Sequence, residues 1–146
     1  GETDSEHFFS LFHNILHTEY ESATLENMKS ALLKAIKTIS DMQNDIGKGD
    51  YSLLNTVITD GEQLIATRYT TANAEKQESL YYTFGEHILP QIGNGLMQPV
   101  ESGKVGAVLI ASEPINEKNE EWIEVPRNHI VIVNKDLEIT VEPIKI

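Results

Sequence analysis

Cysteine is missing altogether from the 146 residues. Its absence excludes a disulfide framework, a thiolate nucleophile and any cysteine-ligated metal within the chain. Basic side chains are scarce too: 11 Lys and Arg stand against 23 Asp and Glu, a formal net charge of −12. Such a balance repels phosphate backbones, so no nucleic-acid partner is expected without a local basic patch. Lys29, Lys34 and Lys37 come nearest to one, but they are interspersed along a helical stretch and read as solvated. No apolar run approaches the roughly 20 residues of a membrane span. The acidic start is unlike a signal peptide, which makes a cytoplasmic chain the expectation. No initiator Met is present, and residue 1 begins in the middle of a cap, as in a fragment or processed product.

What is present is ordinary globular material. Hydrophobic residues make up 40% of the chain, enough at this length for one domain with a core of its own. In residues 1–12, GETDSEHFFSLF, a cluster of short polar and acidic residues runs straight into apolar positions. Thr3, Asp4 or Ser5 can each accept a backbone N–H of a first helical turn, and Glu6 adds charge where the helix dipole favours it. Phe8, Leu11, Phe12, Ile15 and Leu16 then recur at helical spacing up to about Tyr20. Thr24 is a second N-cap candidate. Beyond it Leu25, Met28, Leu32, Ile36, Ile39, Met42 and Ile46 form one long stripe that Gly47 and Gly49 should stop.

After Asp50 the pattern changes to strands. SLLNTVITDGEQLIATRYT reads as a hairpin joined at Asp60-Gly61, a dipeptide that favours the two-residue type I′ turn. Residues 71–79 are polar loop, LYYTF at 80–84 is a short aromatic strand, and residues 85–104 read as loop. GAVLIAS at 106–112 has the composition of a buried strand, and EPINEKNEEW reads as an acidic surface loop. The last stretch, VPRNHIVIVNKDLEITVEPI, predicts two alternating strands around a turn at Asn134 to Asp136. Two helices followed by mostly antiparallel strands is an α+β layout, with the helices on one face of a sheet. GAVLIAS and HIVIV look too apolar for a sheet facing water on its other side. A second layer is expected, yet only two helices are available here to cover the sheet, so the isolated chain should expose an apolar patch and bind a hydrophobic dye or self-associate.

Candidate chemistry is sparse. His13 and His17 lie four apart, on one helical face, with Glu21 extending the line. That spacing suits a metal, yet no HExxH pattern and no third ligand is recognisable, so a solvated face is expected and no metal. His7, His87 and His129 are isolated and read as structural or surface residues. No GxSxG, no SxxK and no glycine-rich phosphate loop appears, so no cofactor is expected either. Ser112 and Thr59 lack a nearby base, and Thr3 is not N-terminal and cannot use its own α-amino group. Arg68 faces either a cleft or solvent, while Trp122 and Arg127 suit the packing of a sheet edge.

The ordered series GETDSEHFF, SLLNTVITDGEQLIATRY, ESLYYTFG, VLIASEPI and EWIEVPRNHIVIV resembles the second half of a class II glutamine amidotransferase domain. The likeness is strongest to the glutathione-degrading amidotransferase component of fungi and its bacterial relatives, and it covers nearly the whole chain. It implies the C-terminal part of a four-layer αββα N-terminal-nucleophile hydrolase. In that family a cysteine at the mature N-terminus attacks a γ-carboxamide. An upstream Arg takes the substrate α-carboxylate, and an upstream Asn-Gly pair shapes the oxyanion hole. All of these would precede Gly1. The Asp of the TDSE-type motif binds the substrate α-amino group, and only that residue has a counterpart here, Asp4. The resemblance also implies a small γ-glutamyl substrate and a metallopeptidase-type protein partner. The contrasting expectation is a binding or scaffold protein that keeps the sheet and lacks the nucleophile half.

Overall fold

The computed structural model describes residues 2–46, 51–71, 78–85, 88–89, 96–97, 106–115 and 122–146. Expectations for Gly47, Gly49, His87, most of the polar loop after Thr71 and most of the acidic stretch before Trp122 lie outside the described residues. The chain divides into two compact units: Gly1–Ser52 with Thr71–Asn73 and Ile144–Ile146, and Leu53–Thr70 with Ala74–Pro143.

In the first unit, α1 (Asp4–Glu19) and α2 (Leu25–Ile46) pack against one another. Thr24 opens α2 as its spacing predicts, its hydroxyl accepting the Asn27 N–H at 3.3 Å. From α1 Phe12, Ile15 and Leu16 are buried, and from α2 Met28, Ala31, Leu32, Ala35 and Ile36. The buried α2 positions recur at three- and four-residue steps, which places them on one side of the helix. Met42 breaks the expectation at 55% exposed. A stripe is buried only along what packs against it, and α2, with 22 residues to the 16 of α1, outruns it by roughly 9 Å. Near the end of α2 the Gln43 side chain ties two separated segments. It donates to Ser52 Oγ at 2.6 Å and accepts from the Thr71 hydroxyl at 2.6 Å. Lys34 pairs with Glu19 and Lys37 with Asp41, so these two lysines are exposed partners in ion pairs.

The second unit is built from antiparallel strands. These are β1 (Thr56–Thr59), β2 (Leu64–Arg68), β3 (Tyr81–Gly85), β4 (Ile88–Leu89), β5 (Leu96–Met97), β6 (Ala107–Ala111), β7 (Ile123–Glu124), β8 (His129–Val133) and β9 (Ile139–Pro143). One sheet has the order β1-β2-β8-β9 and a second the order β6-β3-β7, with β4 and β5 forming a small pair inside the stretch expected to be loop. Two-residue strands leave too few alternating positions for periodicity to register.

The two larger sheets share one apolar interior. Ala66, Val131 and Val133 of the first meet Tyr82, Val108 and Ile110 of the second, with Leu80 and Val125 buried beside them. The chain therefore supplies a second sheet layer itself, which corrects the expectation that only the two helices are available as cover. The opposite side of β2 and β8 is buried as well, at Ile65, Thr67 and Ile130. HIVIV is thus covered on both faces, as its unbroken apolar run predicts. GAVLIAS is not: β6 is the edge of its sheet and all five residues are half-buried.

The hairpin between β1 and β2 also differs from expectation. Thr59 pairs with Leu64, so residues 60–63 form a four-residue loop rather than a two-residue turn. The Asp60 carboxylate explains the longer form, since it accepts the N–H groups of Glu62 at 2.9 Å and Gln63 at 2.8 Å. The Thr59 hydroxyl accepts from Gly61 N–H and donates to the Gln63 carbonyl. Gly61 takes φ +97°, a conformation that a side chain would strain.

Candidate functional site

The one side chain singled out by the sequence as a substrate contact, Asp4, is the first residue of α1. Of the three cap candidates, Thr3 is the N-cap, with an extended backbone at φ −108° and ψ 153°. Its hydroxyl accepts the Glu6 N–H at 3.3 Å, and the Glu6 carboxylate returns to the Thr3 N–H at 3.0 Å, a complete capping box. The same Glu6 oxygen accepts from the Glu2 N–H at 2.9 Å and the Thr3 hydroxyl at 3.0 Å. Capping is therefore assigned to Thr3 and Glu6, and the Asp4 carboxylate stands exposed beside it.

The hydrogen bonds hold the Glu6 carboxyl below its ordinary range, the Glu2 N–H contributing most, then the Thr3 N–H and the Thr3 hydroxyl. A lowered folded-state value fixes the sign of the pH effect. The stabilisation is present above the unfolded carboxyl value and is lost as pH falls through the lower folded value. In an acid titration followed by NMR, the Glu2 and Thr3 amides should lose their capped shifts in one acidic step. The amides of Ile15 and Leu16, in the packed part of α1, should hold theirs through that step. Asp60 is lowered in the same direction, chiefly by the Gln63 side chain and then by the Glu62 and Gln63 N–H groups.

His13 and His17 share the outer side of α1 with ring centroids 4.1 Å apart, and Phe9 adjoins His13 at 6.0 Å. Both histidines are exposed. Among the described residues, no group of three or more His, Asp or Glu is arranged to hold a metal ion. His129 bonds through Nδ1 to the Arg127 carbonyl at 2.7 Å. Thr59 is occupied with its turn, as described above. No helix among the described residues is long and apolar enough to cross a membrane.

Arg68 does not face solvent. It is 5% exposed, and it joins the two sheets. Its Nε donates to the Glu78 carbonyl at 3.0 Å, and its Nη1 donates to the Val125 carbonyl and to Glu124 Oε1. The sequence held one signal of this, a lone arginine closing the apolar run LIATR, where burial demands partners. Trp122 is buried next to β7, an edge of the smaller sheet, in keeping with the packing role expected of it.

A solved class II glutamine aminotransferase domain protein from Silicibacter pomeroyi superposes on 98% of this chain with a TM-score of 0.66 and 19% identity. In sequence the chain is similar to the probable glutamine amidotransferase DUG3 of Saccharomyces cerevisiae, 28% identical over 147 residues and 92% of its own length. No family model matches it. The chain spans 41% of the yeast protein and 52% of the solved bacterial chain, about half or less of each relative. The class II resemblance read from TDSEH, ASEP and EVPRNH thus holds in sequence and in fold.

Proposed function

We propose that these residues are the C-terminal part of a single class II amidotransferase domain that hydrolyses glutamine or a γ-glutamyl peptide such as glutathione. The observation that carries this reading is the similarity to the yeast amidotransferase along 92% of the chain, joined to a shared fold. On this reading a cysteine thiol encoded before Gly1 attacks the γ-carbonyl. The C–N bond breaks, the amine leaves with a proton, and a γ-glutamyl thioester remains for water to open to glutamate. Asp4 accepts a charge-assisted hydrogen bond from the substrate ammonium. That contact selects free γ-glutamyl ends, because a ligand without the amine leaves the carboxylate unanswered. A metallopeptidase-type partner in the cytoplasm belongs to the same reading.

The test is glutamate release by the longer gene product and by the 146-residue chain. The longer product should liberate glutamate and lose this activity when its N-terminal cysteine is replaced. The chain alone, holding no cysteine, should give only the buffer blank. Turnover by the chain alone, abolished by a substitution within it, would falsify the proposal. A longer product that binds γ-glutamyl ligands without turnover supports the scaffold alternative.

A further inference from the structure

Among the described residues the two larger sheets end in four edge strands, β1, β9, β6 and β7, and these differ in chemistry. Charge, proline and brevity are the usual guards of an edge. β9 ends in Glu142 and Pro143, and β7 is two residues long with Pro126 close behind it. β1 alternates half-buried Thr56 and Ile58 with exposed Val57 and Thr59, the pattern of a strand beside water. β6 has none of these features. Its five residues, Ala107–Ala111, are all apolar and all half-buried. Val108 and Ile110 pack toward the inter-sheet core, and Ala107, Leu109 and Ala111 take the opposite face. β3 is its strand neighbour on one side, and no described strand lies on the other. An unbroken apolar run suits a strand inside a sheet, yet this one sits at the margin.

We infer that the outer edge of β6 is the docking site for a further strand of the same polypeptide, supplied from before Gly1, which pairs with β6 and makes it internal. The inference rests on the proposed reading of these residues as the C-terminal part of a domain, and it adds the place where the two parts join. An edge presents a row of N–H and C=O groups, and an added extended segment answers that row directly. Length and charge identify the occupant. The chain spans 41% of the yeast relative and 52% of the bacterial one, so proteins of this kind carry nearly as much chain again, or more, outside the matched part. The competing occupant is a second copy, but two chains of net charge −12 repel one another. A strand already tethered to the domain also escapes the entropy cost of association.

Amide hydrogen exchange on the longer gene product, read by NMR, tests the join. An edge strand in an antiparallel sheet has only alternate amides bonded, whereas a strand with two neighbours has all of them bonded. All five Ala107–Ala111 amides should therefore exchange as slowly as those of β8, which lies between β2 and β9. The outward amides among them should be slowed on the order of a thousandfold or more relative to unpaired ones. Nuclear Overhauser contacts across that edge should lead to residues preceding Gly1 and persist on dilution. Alternating protection along β6 overturns the inference. So do contacts to a second copy that vanish on dilution, or contacts to another segment within residues 1–146. Glutamate release from the same sample keeps the two readings apart. Turnover with an unpaired β6 edge sinks this inference and spares the hydrolase reading. A paired edge without turnover spares the join and sinks the hydrolase reading.

Discussion

Arg68→Met should lower the unfolding free energy by about 2–4 kcal/mol, read as a fall in urea midpoint with little change in m. Methionine fills much of the arginine stem volume, so the loss is mainly polar. Two backbone carbonyls, of Glu78 and Val125, lose a buried charged donor. Leaving such a group unsatisfied costs about 1–3 kcal/mol, whereas the ion pair with Glu124, itself 54% exposed, is worth at most about 1 kcal/mol. The carbonyl bonds therefore dominate. Glu124→Gln is the control that checks this ranking and should cost under about 1 kcal/mol. If the two variants are equally destabilised, Arg68 acts through the ion pair and its bonds to the carbonyls matter little.

On the proposed reading, Asp4→Asn in the longer gene product should reduce kcat/KM for a γ-glutamyl substrate about ten- to a hundredfold. A hydrogen bond between charged partners is worth roughly 1.5–3 kcal/mol, and the substitution removes the charge while keeping the size. Stability should barely move, because Thr3 and Glu6 form the cap and Asp4 takes no part in it. For a glutaramide analogue lacking the α-amino group, the mutant and parent rates should converge. A variant that unfolds, with the folded fraction fully active, would reduce Asp4 to a structural residue.

The helices were the most legible part of the sequence because their evidence is local. Thr3, Glu6 and Thr24 cap within three residues of themselves, and the stripe from Met28 to Ile36 repeats often enough to fix a face. The strands were legible one at a time, but their grouping was not. Nothing local to LYYTF or GAVLIAS says that they pair with each other and not with HIVIV, since sheet membership is decided by contacts distant in sequence. For the same reason Arg68 was misjudged: its three acceptors lie 10, 56 and 57 residues away. The Asp60-Gly61 loop was misjudged for the opposite reason. Its dipeptide matched a common turn, while Asp60 and Thr59 side chains organised a longer one. Asp4 was singled out through resemblance alone, since a single acidic residue at a helix start has no signature of its own.

Asn128 at φ 55° and Leu137 at φ 60° are the non-glycine residues in left-handed backbone among those described, and they bracket β8. Each is held by a specific contact. Asn128 Oδ1 accepts the Thr70 N–H at 3.2 Å, and Leu137 packs against the inter-sheet core. Because β8 lies between β2 and β9, a shift of one residue would exchange its two buried faces and break the Asn128 contact with Thr70. Length changes between 128 and 137 cannot be absorbed by sliding. Natural variants and engineered tags that alter chain length will be tolerated in the loop at 60–63, whose contacts are its own, and rejected from the segment around β8.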